Sequence, residues 1–298
     1  MGLRKRIPDN ALLIGGLFHW CIGDWYSSNR ARMTRIARRR IDPAWTEARE
    51  QSALYNPDDF EKLSAEIQAL YGMLFGYAHT YADDRRIWTI NRKLVEVEFR
   101  VDMGDFDYAG KIDLVTLLKP QAKCYTVVEH KTARKISEAY ITRLPMDTQV
   151  RSYVFGATQG LGLRVNEVLY DVVRKCSLRR KSGETADAFN ARIAEDYEAR
   201  PDFYFFRQPL KFNKSDIDAF EYEVRQTHAE FMAIINGSDP LDPRSWGPDD
   251  AECSAFFRTC PYLEVCTTGL DRGTGMLFEQ HSDWHEELSG DYEEVMEA

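Results

Sequence analysis

Apolar positions recur along the chain with two periods, and the change from one to the other divides it. From Ala11 to Tyr26 (A-L-L-I-G-G-L-F-H-W-C-I-G-D-W-Y) they return at helical spacing. That predicts a buried helix in which Gly15 and Gly16 allow close backbone approach. From Arg30 to about Asp83 the pattern is again helical, with Phe60, Leu63, Ile67, Leu70, Leu74 and Tyr77 three or four apart and a capping signal at Asn56-Pro57-Asp58. Over Lys93–Met103 the period drops to two. Val95, Val97, Phe99 and Val101 take one side; Glu96, Glu98, Arg100 and Asp102 take the other, so this is a strand with one solvated face and its acids read as surface residues. Gly104–Asp107 turns the chain into two further strands, Tyr108–Leu118 and Lys123–His130, which continue an antiparallel meander. Asp147–Leu161 reads as a helix ending at Gly160 or Gly162. Glu167–Arg174 is a strand reached through that helix and free to add in parallel. Helical pattern returns over 175–200 and 213–235, with a short apolar strip at 203–207. The expectation is an α/β fold: a mixed sheet flanked by helices, with a helical insertion at about 30–90. Residues 1–266 are expected to form one domain, followed by an acidic, mobile tail at 267–298.

Composition adds limits. With 298 residues, 44% apolar and 29% charged, the chain can bury a sizeable core without help from metal or disulfides. No apolar run has the roughly 18 residues of a membrane span. The run after the basic start contains His19 and lacks a small-residue cleavage site, so a cytoplasmic protein is expected. The net charge of −9 does not advertise nucleic acid, but charge is local. Arg30, Arg32, Arg35, Arg38, Arg39 and Arg40 follow one another with no acid between them. Arg35, Arg38 and Arg39 read as a phosphate-contacting surface; the plainer alternative is a solvated helix face. Cys21, Cys124 and Cys176 are scattered, whereas Cys253, Cys260 and Cys266 cluster as C-x6-C-P-Y-x-x-x-C. Disulfides are not expected in the cytoplasm. Three thiols so close can converge on a soft metal centre, but with no histidine nearby they do not complete zinc's tetrahedron.

The densest chemistry lies between Gly110 and Lys131. The sequence G-K-I-D-L-V ends its first apolar run near Asp113, and Y-T-V-V-E-H-K ends the next with Glu129 and Lys131. Strand residues two apart share a face, so Glu129 and Lys131 point together and His130 points away. If the two runs pair as a hairpin across Lys119-Pro120-Gln121, Asp113 comes close to Glu129. Two carboxylates with an ammonium alongside make a site for a hard divalent cation such as magnesium. A cation held there activates water for phosphodiester hydrolysis, and lysine can orient that water or offset developing charge.

G-x-x-D followed by E-x-K after a strand resembles the signature of the PD-(D/E)XK nuclease superfamily, and more closely its RecB-like branch. That branch includes CRISPR adaptation nucleases and phage-encoded single-strand exonucleases. Two further matches support it: Gly15-Gly16-Leu17-Phe18-His19 on the first helix and Gln149-x-x-x-Tyr153 on the helix after E-x-K. The resemblance implies a restriction-endonuclease-like fold. It implies magnesium or manganese held by Asp113 and Glu129, helped by His19 and the backbone carbonyl of His130. It further implies that Lys131 positions the attacking water, and that Gln149 and Tyr153 contact the strand being cut. The implied substrate is DNA, entered from single-stranded ends, in a phage or prophage recombination or repair setting. The cysteine cluster is similar to that of relatives holding a [4Fe–4S] cluster. No cysteine precedes His19, however, so the fourth ligand is either missing or Cys21. Two other readings compete: a DNA-binding module that keeps the fold without catalysis, and a zinc or iron–sulfur protein unrelated to nucleic acid.

Overall fold

The structure, a computed structural model, describes residues 3–5, 9–28, 31–119, 122–237, 253, 260, 262–268 and 278–280. In chain order the main elements are β1 (Leu3–Lys5), α1 (Asn10–Ser27), α2 (Met33–Glu50), α3 (Pro57–Thr80), α4 (Asp84–Ile87), β2 (Thr89–Asp102), β3 (Asp107–Leu117) and β4 (Tyr125–Ala133). They continue with α5 (Glu138–Thr142), α6 (Thr148–Phe155), β5 (Val165–Arg174), α7 (Ala186–Ala199), α8 (Pro201–Tyr204), β6 (Phe205–Lys211), α9 (Lys214–Gly237), α10 (Leu263–Thr268) and β7 (Phe278–Gln280). Among the described residues no helix is long and apolar enough to cross a membrane.

Local chemistry fixes the helix starts. Asp9 caps α1 by accepting from the Ala11 N–H at 2.7 Å. Asn56 caps α3 by accepting from Asp58 at 3.0 Å, with Pro57 at the first helical position, where a missing N–H costs nothing. Asp147 caps α6 through Gln149 and Val150. Beyond Phe155 that helix widens into one π-turn, Gly156–Gly160, rather than running on regularly to Leu161. A Cβ on Gly156 would come within 2.5 Å of the Phe99 ring, so this turn is glycine because β2 presses an aromatic side chain against it.

The main sheet has the order β2-β3-β4-β5-β6. Its first three strands are antiparallel, β5 joins β4 in parallel, and β6 closes the edge antiparallel. The meander and the parallel addition agree with the hydrophobic pattern. The helices of the stretch expected as an insertion, about 30–90, contribute side chains to the core. Leu63, Ile67 and Leu74 of α3 share a core with Leu17 and Phe18 of α1, Ile193 of α7, and Leu114, Val128 and Leu169 of the sheet. Each such side chain contributes about 1.5–3 kcal/mol when fully buried. The region is therefore a structural layer over the sheet, and β2 already begins within it, at Thr89.

The chain divides into two compact units. Of the described residues, 9–217 form the unit containing the five-stranded sheet. The other holds the described residues of 1–8 and 218–280. In it β1 pairs antiparallel with β7, Leu3 opposite Gln280, and the Tyr262 ring stacks on Phe278 at 5.3 Å. The expected mobile tail beyond residue 280 lies outside the described residues, as does Arg30.

Candidate metal centre and catalytic cluster

Pairing of β3 with β4 puts Leu114 opposite Val128, and the neighbouring Asp113 therefore falls across from Glu129. Asp113 Oδ2 accepts the His130 N–H at 2.9 Å and lies 3.2 Å from His19 Nδ1 on α1. Glu129 is wholly buried; its Oε1 lies 2.6 Å from Lys131 Nζ, and its Oε2 has no hydrogen-bond partner among the described residues. Lys131 Nζ also donates to Gln149 Oε1 at 2.6 Å, and Gln149 Nε2 donates to the Tyr153 hydroxyl at 2.7 Å. The capped start of α6 aims Gln149 and, one turn on, Tyr153 at the E-x-K strand. The structure thus brings together His19, Asp113, Glu129, Lys131, Gln149 and Tyr153.

One member escaped the sequence reading. Among the described residues, His19, Glu96 and Asp113 form the one group whose ligand atoms all lie within 4.8 Å of each other. Strict alternation had assigned Glu96 to a solvated face. Instead it sits at φ 52°, a left-handed conformation unusual for glutamate, which costs about 1–3 kcal/mol. Gly23 on α1 makes room: a Cβ there would meet Glu96 Cγ at 3.1 Å. The readable signal was register. Val95 opposes Leu114 and Val97 opposes Ile112, so Glu96 stands across from Asp113. Lys111 Nζ lies 3.5 Å from Glu96 Oε2.

Crowded carboxylates shift one another's acidity. Burial works against an ionised Asp113, but the adjacent His19 outweighs it and holds the carboxyl down at about 2. For Glu129 burial and the Asp113 charge act together, and Lys131 offsets them only in part, so its carboxyl is pushed up. Glu96 is raised for the same two reasons. Burial disfavours the His19 imidazolium, yet Asp113 prevails and raises its pKa. Burial also disfavours a charged Lys131, and Glu129 more than compensates, so it remains an ammonium. Burial raises the Tyr153 phenol, keeping it a neutral donor. An unpartnered buried carboxylate oxygen, two more carboxylates and one imidazole are a donor set that fits a hard or borderline divalent cation.

His130 turns its ring to the other side of β4, as alternation predicts. There its Nδ1 lies 3.2 Å from Asp171 Oδ2, and Tyr26 stacks on it at 5.5 Å. Arg207 Nη2 joins Asp171 at 3.0 Å to Asp84 at 2.6 Å, while its guanidinium lies 3.4 Å over the Tyr81 ring. Tyr77 donates to Asp171 at 2.6 Å and Tyr26 to Asp84 at 2.9 Å. Burial opposes an ionised Asp171, and Arg207 outweighs it, holding the carboxyl down at about 2. This network backs the strand that carries Glu129 and Lys131. No sequence signal singled it out, because its members are far apart in the chain.

Of the arginine face, Arg35 and Arg38 are exposed and show no ion pair among the described residues. Arg39 is exposed but tied to Asp24 at 2.7 Å, together with Arg40 at 2.5 Å. Cys21 is fully buried in the apolar core, and burial pushes its thiol up to about 12. In the second unit the Cys260 N–H donates to the Cys253 carbonyl at 2.8 Å, and the Cys266 N–H to Tyr262 at 2.9 Å.

Residues 1–267 match the family model of the PD-(D/E)XK nuclease superfamily. No curated protein and no solved structure matches the chain significantly.

Proposed function

Because this chain belongs to the PD-(D/E)XK nuclease superfamily, we propose that it is a DNA nuclease dependent on magnesium or manganese, of the RecB-like kind, acting as an exonuclease on single-stranded ends. Its five-stranded mixed sheet flanked by helices is the α/β, restriction-endonuclease-like arrangement of that superfamily. One observation carries the proposal: a single ammonium, Lys131 Nζ, bridges Glu129 and Gln149 beside the paired Asp113 and His19.

Asp113, Glu129, Glu96 and His19, with the His130 carbonyl, would hold the cation. When bound, the ion supplies charge neutralisation at the scissile phosphate and an acidified water. The chain's own groups do the rest. Lys131 has three donor protons and commits two, to Glu129 and Gln149; the third is available to the attacking water or a phosphate oxygen. Tyr153 accepts from Gln149, which leaves its hydroxyl proton to donate towards the strand being cut. Gln149 therefore couples the position of the lysine to that of the substrate.

Cys253, Cys260 and Cys266 are assigned to a [4Fe–4S] cluster. The burial of Cys21 favours a fourth ligand other than that residue. Absorbance near about 400 nm, from iron–sulfur charge transfer, tests this separately from activity.

The test of function is degradation of end-labelled single- and double-stranded DNA with magnesium, with manganese and with chelator, by wild type, Asp113→Ala and Lys131→Ala. Metal-dependent shortening from single-stranded ends, lost in both variants, supports the proposal. Retention of DNA without cleavage in either metal supports the non-catalytic module instead.

A further inference from the structure

One exposed aromatic on α1, the helix that carries His19, is not used by the site described above. Trp20 directly follows His19 on α1, yet 51% of it is exposed, whereas Phe18, Cys21 and Ile22 around it are fully buried. Its ring contacts no other ring and no cation among the described residues. Leu12, Gly16, Trp20 and Asp24 are each four apart, so they form one stripe along the helix. Leu12 is 73% exposed, and nothing lies within 4 Å of where a Cβ on Gly16 would be. The stripe is thus an open strip of surface whose middle is an unpaired indole.

The charge at its end is basic. Asp24, one turn beyond Trp20, holds Arg39 and Arg40 at 2.7 and 2.5 Å. Its own charge is spent on these two cations, and the other α2 arginines, Arg35 and Arg38, are exposed beside them. An aromatic face next to cations that track a phosphate backbone is the combination by which proteins bind single-stranded nucleic acid: each base offers a π-face, and stacking tolerates any sequence. A base within a duplex is already stacked on both faces, so the same indole offers duplex DNA little. A protein partner's apolar surface would not need the arginines.

We propose that Trp20 is a stacking platform for a base of single-stranded DNA on the outer face of α1, with Arg35, Arg38 and the Asp24-held arginines contacting the neighbouring phosphates. This rests on the nuclease reading and adds to it a base-binding subsite. The platform follows His19 along α1 but points about 100° further round the helix, on the stripe whose Asp24 meets α2.

The test is fluorescence anisotropy on the full chain, with calcium replacing magnesium. The probes are labelled oligodeoxythymidine, an abasic strand of equal length and a duplex. Wild type is expected to bind oligodeoxythymidine about ten-fold or more tightly than the abasic strand. Trp20→Ala should bind the two alike, with its unfolding midpoint unmoved, and Trp20→Phe should recover most of the preference. Arg35→Gln should weaken both single strands equally and reduce the salt dependence of binding by about one phosphate contact. The proposal is overturned if Trp20→Ala keeps the wild-type ratio. Should wild type cut DNA in manganese while that ratio persists, the stacking site alone is wrong. Should wild type neither bind nor cut any DNA, the nuclease reading falls and the stacking site falls with it.

Discussion

Replacing Arg207 by methionine is the most informative test of how the site is braced. The side chain is 17% exposed and its Nη2 satisfies two buried carboxylates, Asp171 at 3.0 Å and Asp84 at 2.6 Å. Methionine retains much of the apolar stem but strands both acids. Tyr77 and His130 still face Asp171, and Tyr26 still faces Asp84, so these contacts persist while the guanidinium that ion-pairs with both acids is removed. Breaking a buried pair by deleting one partner costs about 3–5 kcal/mol. That loss should appear in urea unfolding at pH 7. It should shrink in acid, and the sign follows from Asp171. Its folded pKa lies near 2, below the ordinary 3.8. The stability it contributes is present above about 3.8 and is lost as pH falls towards 2. Adding Asp171→Asn to Arg207→Met removes one stranded charge, so the double variant should be more stable than the sum of the singles by about 1 kcal/mol or more. A loss below about 1 kcal/mol for Arg207→Met, or strict additivity in the double variant, would refute the reasoning.

Further outcomes follow from the site itself. Lys131→Ala should lower kcat by about 10²–10³ with little change in KM, because the ammonium acts on charge that develops during reaction. Glu96→Gln should weaken manganese binding by about ten-fold in calorimetry, while Glu98→Gln leaves it unchanged, because only Glu96 lies in the ligand group with His19 and Asp113. Cation binding should tighten as pH rises: Glu129, pushed up to about 8, and the raised His19 must both give up protons to a cation, while Asp113 is already ionised. Affinity should therefore climb by about ten-fold per pH unit for each of the two protons still bound, and level off above about 8; a flat profile from pH 6 to 8 would contradict the assignment.

The sequence disclosed what depends on short spacing. Asp113, Glu129 and Lys131 could be placed together because strand alternation and one hairpin are local rules, and Leu114 opposite Val128 is the register they imply. Gln149 and Tyr153 were legible as a one-turn pair after that strand, and the contact of Gln149 with Lys131 follows from the Asp147 cap. Glu96 was not legible by alternation, because its left-handed backbone departs from the strand rule and Gly23, more than seventy residues earlier, makes the room. The Asp84–Asp171–Arg207 network was invisible for a related reason: each member looks like an ordinary polar residue until three elements meet. The region 30–90 was legible as helix but not as core, since periodicity shows which face is apolar and not what covers it.

The central claim is that His19, Glu96, Asp113 and Glu129 share one divalent cation. Manganese-soaked crystals measured at the manganese absorption edge test it most directly. The account predicts one strong anomalous peak bonded to Asp113 and at least two of the other three, at about 2.0–2.3 Å. A fully soaked crystal with no peak there, or with its strongest peak elsewhere, would contradict it.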